Sequence, residues 1–193
     1  MLSQHLENYK VILASKSPRR QELLRGMGVM FDCITKETPE QYPEMPLKKV
    51  AGYLSRQKSI AFSDEELPEH YLLITADTVV IAENEILGKP TDRADALRML
   101  NLLSGKTHVV VTGVTLRSKE RTTTFSVSSS VTFATLNREV MEHYVDQYRP
   151  FDKAGAYGIQ EWIGYVGISG LRGSFYNVMG LPTQRLYNAL MKF

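Results

Sequence analysis

The stretch Val11-Ile12-Leu13-Ala14-Ser15-Lys16-Ser17-Pro18-Arg19-Arg20 compresses a strand, a turn and a helix start into one short run. Residues 11–14 form a continuous apolar segment of strand length. Ser17 is a favoured helix N-cap and Pro18 a favoured first helical residue. Leu23, Leu24 and Met27 give the helix an apolar side, and Gly28 gives it a stop.

Arg19 and Arg20 break this pattern. They fall in the first helical turn, where the backbone already offers free N–H groups and a partial positive charge. A cation there is wrong-signed by roughly 0.3–1 kcal/mol, and a capping box would put Glu or Gln where Arg20 stands. The arrangement becomes favourable when an anion sits on the helix end. A turn carrying the Ser15 and Ser17 hydroxyls, a helix N-terminus and two guanidinium groups suit a polyphosphate. Two solvated arginines paired with surface acids are the alternative, and two in succession after Ser-x-Ser-Pro favour the anion site. On that reading, removing Arg20 costs anion binding and little stability.

The 193 residues suffice for one domain or two small lobes, and an apolar content of 43% supplies a core. A formal net charge of +2 is too small to mark a nucleic-acid binder. The single Cys33 excludes an intramolecular disulfide and a cysteine-cluster metal site, and the four histidines form no H-E-x-x-H pattern. No apolar run approaches the ~18 residues of a membrane span, and residues 11–14 are too short for a signal-peptide core. A cytoplasmic protein without membrane or nucleic-acid partners is expected.

Farther along, residues 31–34 read as a short strand and residues 35–44 as a polar loop broken by two prolines, with Glu37 in it. A helix is predicted over 46–62, with Leu47, Val50, Ala51, Leu54 and Ala61 on one face. Lys58 lies on that same face. Either it snorkels to water or it reaches over the core edge into a cleft, and periodicity leaves both open. Residues 71–76 read as a strand that Asp77 ends or interrupts, residues 78–82 continue extended, and 83–85 make a hairpin turn. A helix capped by Thr91 or Asp92 follows to Leu103, then β runs at 107–117 and 122–134. A helix at 137–148 turns Val140, Met141, Tyr144 and Val145 inward. Residues 151–160 are punctuated by glycine, 163–168 and 175–178 are expected to pair as strands, and a last helix starts near Pro182. The order is mixed, without the strict alternation of a doubly wound sheet. There is no Walker phosphate loop and no G-x-G-x-x-G.

Asp77, between two apolar runs, reads as a site carboxylate at a strand end. If Asp77 and Glu37 both face bound phosphates, a hard divalent cation is expected, because Mg²⁺ is held by one or two carboxylates plus phosphates and waters. Lys58 and Lys89 would then neutralise charge on phosphoryl oxygens. The plainer readings are a solvated acid for Glu37 and an exposed loop lysine for Lys89.

The segments Ser15-Lys-Ser-Pro-Arg-Arg20, Ala76-Asp-Thr-Val-Val80, Gly88-Lys-Pro90, Ser104-Gly105, Asp152-Lys-Ala-Gly-Ala-Tyr-Gly-Ile-Gln160 and Gly180-Leu-Pro182 together resemble the Maf proteins, in order and over nearly the whole chain. The resemblance implies a single Maf-like domain over 1–193. It implies an α/β fold like that of the inosine triphosphate pyrophosphatases, with a mixed twisted sheet flanked by helices and two lobes around a cleft. It implies hydrolysis of nucleoside triphosphates to monophosphate and pyrophosphate with a divalent metal, Mg²⁺, Mn²⁺ or Co²⁺. Carried over by motif, Asp77 is the proton acceptor that activates water. Arg20, Glu37, Lys58, Lys89 and Gln160 match the other catalytic positions, with Glu37 and Asp77 toward the metal. Arg19, Thr78 and Gln160 match positions that set nucleotide preference. The form of residues 152–160 resembles the branch acting on dTTP and UTP. The other readings are a 7-methyl-GTP pyrophosphatase and a non-catalytic nucleotide-binding regulator of septum formation, the effect for which the family was named. A homodimer is compatible with all of these. One departure is Lys36, which stands where many members have Asp.

Overall fold

The computed structural model describes residues 2–193. Its elements are α1 (Leu2–His5), β1 (Lys10–Ala14), α2 (Pro18–Gly26), β2 (Asp32–Ile34), α3 (Leu47–Ile60), β3 (Tyr71–Ala82), β4 (Glu85–Leu87), α4 (Arg93–Leu103), β5 (Thr107–Arg117), β6 (Thr122–Phe133), α5 (Arg138–Tyr148), α6 (Trp162–Gly167), β7 (Ile168–Arg172), α7 (Phe175–Met179) and α8 (Thr183–Leu190). This is an α/β fold with a mixed seven-stranded sheet flanked by helices. The strand order is β2-β1-β3-β5-β6-β7, with β4 paired to β3 off that path. Two compact units divide the chain. One holds the residues up to Asp77 with 112–127 and 180–193, the other 78–111 with 128–179.

In the first unit, β1 is an interior strand. It pairs in parallel with β2 (Ile12↔Asp32) and with β3 (Leu13↔Ile74). Burial on both faces is why its sequence is continuously apolar and not alternating. Ser17 caps α2 by accepting from Arg20 N, Pro18 is its first residue, and Gly28, at φ +74°, takes the left-handed position beyond the C-cap Met27. α3 buries Val50, Ala51, Gly52, Leu54, Ser55 and Ser59. It lies backbone against backbone on β5, since a Cβ built on Gly113 would fall 2.3 Å from Ala51 carbonyl atoms. Only glycine permits that approach. Arg117 of β5 donates to Ser59 O and to Phe62 O, the latter at 2.8 Å, and so satisfies carbonyls at the end of α3.

Asp77 neither ends nor interrupts a strand, because β3 runs through it to Ala82. What changes there is the partner. The parallel ladder with β1 covers Tyr71 to Ile74, and the antiparallel ladder with β4 covers Val80 to Ala82.

In the second unit, β3 turns into β4 through Glu83 and Asn84, both at positive φ, as a two-residue hairpin loop requires. Val80, Leu100, Leu103, Val131, Phe133, Tyr144 and Ile163 belong to its core. The Ser104-Gly105 motif serves this framework: Ser104 Oγ accepts from Leu136 N at 2.7 Å, and Gly105 N donates to Ala134 O. One expectation is overturned. Residues 163–168 and 175–178 do not pair as strands; α6 and α7 occupy those stretches, and the strand between them, β7, pairs antiparallel with β6. Apolar runs of four to six residues fit a short buried helix as well as a strand.

Candidate functional site

The first unit gathers most of the expected residues at the end of β1. Ser15 Oγ accepts from Ser17 N at 3.2 Å, so the two serines shape the turn into α2. Arg20, in the first turn of α2, is half-buried and held by backbone carbonyls. Its Nε donates to Gly180 O at 2.8 Å and its Nη1 to Ala76 O at 2.9 Å. Ala76 lies in the stretch of β3 between the two ladders, and Gly180 stands at φ +118°, a conformation that L side chains avoid. The Gly180-Leu181-Pro182 motif thus has a local reason, presenting a carbonyl to Arg20. Burial pulls the Arg20 guanidinium below its ordinary value, and neighbouring Asp77 opposes that shift.

Lys58 settles its two readings by position. Its Nζ bonds Asp77 Oδ1 and lies 3.6 Å from Glu40 Oε1, with the lysine side chain 21% and the Asp77 side chain 10% exposed. The apolar stripe of α3 therefore delivers a cation to the carboxylate of β3. Glu40 is a neighbour that sequence reasoning missed. A lone acid in a proline-broken loop carries no signal, and only the folded loop brings it to Lys58. Glu37, the loop acid singled out from the sequence, has a side chain 92% exposed and pairs with Lys16 at 3.3 Å. Lys36 turns toward Glu66 at 2.8 Å, away from Glu37. Among the described residues, no three His, Cys, Asp or Glu side chains gather to hold a metal ion. Asp77, Glu40 and Glu37 each offer oxygen donors, and one or two such carboxylates suffice for a hard cation that brings phosphate and water ligands with it.

Thr78, Lys89 and Gln160 belong to the second unit. Lys89 is exposed on the loop between β4 and α4. That loop is tied to the glycine-punctuated segment by Gly155 N donating to Gly88 O at 3.0 Å. Gly155 stands at φ +70°, and a side chain there would press on Val80. Gln160 is half-buried, and its Oε1 is fully buried without a hydrogen-bond partner. Such an orphan acceptor is costly unless a ligand supplies the donor.

The segment rests on two buried networks. Lys153 pairs with Asp152 at 2.6 Å and with Glu161 at 3.1 Å; Glu161 in turn accepts from Tyr144 OH, and Gly158 N donates to the same hydroxyl at 3.0 Å. Burial and the Glu161 carboxylate both push the Tyr144 phenol up. In the second network, His108 Nε2 meets Tyr157 OH at 2.7 Å while Nδ1 has no partner.

Burial pushes the His108 imidazole down to about 4 from its ordinary 6.5. Between those values the unfolded chain takes up a proton that the folded chain refuses. Stability is therefore complete above pH 6.5 and drains away as pH falls toward 4, by ~3 kcal/mol in all. Urea midpoints at pH 7, 6 and 5 are expected to fall more steeply for wild type than for His108→Gln. Parallel slopes would mean that His108 is not buried in its neutral form.

Comparison with known proteins adds the following. The profile of the family described as "Maf: Maf-like protein" matches residues 10–193. A dTTP/UTP pyrophosphatase of Porphyromonas gingivalis is 53% identical over 98% of this chain and 96% of its own. Those of Bacteroides thetaiotaomicron and Flavobacterium psychrophilum are 48% and 45% identical, over 97% and 99% of this chain and 98% of each relative. A solved nucleoside-triphosphatase / dITP/XTP pyrophosphatase from Mycobacterium abscessus aligns over 95% of both chains at 15% identity and a TM-score of 0.45. The fold assignment rests on the strand order described above.

Proposed function

This chain belongs to the Maf-like protein family, and from that premise we propose that it hydrolyses dTTP and UTP to the nucleoside monophosphate and pyrophosphate, clearing the pool of normal or modified pyrimidine nucleotides. The observation that carries the reading is the largely buried Asp77–Lys58 pair beside Arg20, just past the parallel ladder of β3 with β1, in a chain so similar to dTTP/UTP pyrophosphatases.

Water attacks the α phosphorus, the bond from that phosphorus to the oxygen bridging to the β phosphate breaks, and pyrophosphate leaves. Asp77 takes the proton from the attacking water. Before that transfer, Asp77 and Lys58 nearly cancel in charge. After it, the ammonium of Lys58 is opposed only by Glu40, and it can meet the negative charge building on phosphoryl oxygens. Lys89, Arg19, Arg20 and the Ser15 and Ser17 hydroxyls hold the phosphates. Thr78 and Gln160 address the base, with Arg19 contributing to base choice. A divalent cation, Mg²⁺, Mn²⁺ or Co²⁺, would be held by Asp77 and one loop acid, Glu37 or Glu40, and would supply Lewis-acid polarisation of the phosphates.

We place the protein in the cytoplasm, acting on free nucleotides as one domain and not on nucleic acid. The near-neutral charge and free, exposed Cys33 suit that setting, and a homodimer is compatible with it. No described helix is long and apolar enough to cross a membrane.

A panel of nucleotides with each metal, scored by product identity, tests the proposal. dTTP and UTP are expected to lead, CTP to follow, and GTP and 7-methyl-GTP to be poor. Nucleoside diphosphate with orthophosphate would reassign the reaction, 7-methyl-GTP as best substrate would reassign the branch, and no turnover with any metal would favour the regulator.

A further inference from the structure

Gln160 has a carboxamide that presents an unpartnered buried oxygen, yet nothing in its own side chain fixes where that oxygen points. Its neighbours do. Gly158 has no left-handed backbone to explain a glycine, and the reason for it is space. A Cβ there would come within 2.9 Å of the Glu161 carboxyl carbon and 3.2 Å of the Gln160 amide nitrogen. The Glu161 carboxylate is held on both sides, by Lys153 at 3.1 Å and by the Tyr144 hydroxyl, which also receives Gly158 N. Lys153 is itself 9% exposed and shared between Asp152 and Glu161. Glu161 and the Gly158 backbone, the two neighbours that a Cβ at 158 would set against the amide, are thereby tied to Tyr144 of α5.

We propose that Tyr144, Lys153, Gly158 and Glu161 are positioning residues that hold the Gln160 carboxamide in one pose and so set the preference for pyrimidine over purine. The inference rests on the reading of Gln160 as the residue that meets the base. A site that hydrogen-bonds a base edge discriminates only while its groups are held in place, because a mobile amide can satisfy the wrong edge as well.

The test is a double-mutant cycle with Tyr144→Phe, Gln160→Ala and both together, with kcat/KM measured for UTP and GTP. Tyr144→Phe removes one hydroxyl from a buried network and is expected to lower the UTP-to-GTP ratio ~10-fold, the worth of one such hydrogen bond. The double variant is expected to show the ratio of Gln160→Ala alone, since a residue acting through Gln160 has nothing left to position. Gly158→Ala, which crowds the Glu161 carboxyl and the Gln160 amide while leaving the Tyr144 hydroxyl in place, is expected to lower the ratio by the same route. A purely structural role predicts equal losses for UTP and GTP in Tyr144→Phe and additive losses in the double variant, and either result overturns the proposal. If Gln160→Ala itself leaves the ratio unchanged, the reading of Gln160 falls and the inference falls with it. If Gln160→Ala loses the ratio while Tyr144→Phe and Gly158→Ala both keep it, the inference falls alone.

Discussion

Asp77→Asn is expected to lower kcat for dTTP by ~10²-fold or more while changing KM by only a few fold. The substitution keeps size and removes the negative charge together with the proton acceptor. Lys58, which now bonds Asp77 Oδ1, loses its main partner and keeps only Glu40 at 3.6 Å. The ammonium then remains available to phosphate in the ground state, so binding should hold or tighten as turnover collapses. That split separates a proton acceptor from a binding group, whose loss would raise KM and spare kcat. Turnover near the wild-type rate would remove Asp77 from the mechanism.

Arg20→Ala is expected to lower kcat/KM ~10²-fold, the scale for one lost charge-stabilising donor, and also to destabilise the free protein. Here the structure revises the expectation of little stability change. Relief of the wrong-signed charge at the start of α2 returns roughly 0.3–1 kcal/mol. Against that stand two charged hydrogen bonds, to Ala76 O and Gly180 O, at ~1.5–3 kcal/mol each. The second effect wins. A lower urea midpoint together with the activity loss is the predicted pair. Arg20→Lys keeps the charge but lacks the fork that spans two carbonyls, so its midpoint should fall as well. Unchanged stability in both variants would show that the carbonyl bonds contribute nothing net.

What was legible in the sequence follows the range of the interactions. The cap at Ser17, the entry at Pro18 and the stop at Gly28 are local, and each stands where its chemistry places it. Lys58 was legible as a residue and ambiguous as a role, because a helical wheel shows its face and not what lies opposite. The partners of Arg20 are 56 and 160 positions away, beyond any local pattern. Glu40 looks like any loop acid until the loop closes on Lys58. Tyr144 reads as an ordinary inward aromatic of an amphipathic helix, and its hydroxyl becomes informative only beside Glu161 and Gly158. α6 and α7 read as strands in the sequence because their apolar runs are too short to show a period.

The contact of α3 with β5 at Gly113 also limits how the protein can move. Helices that slide on a sheet do so by small shears of interleaved side chains. Here there is no side chain at the crossing, and Gly52 fills a second seat where a Cβ would lie 2.8 Å from Ser126 Oγ. A slip of α3 by one turn, ~5.4 Å, would bring a residue with a Cβ into a place built for none. The helix therefore has one parking position on the strand, and it can only travel with the sheet. Lys58 rides on it as a fixed tooth, so its reach to Asp77 is set by the seat of α3 on the sheet and not by any sliding of the helix.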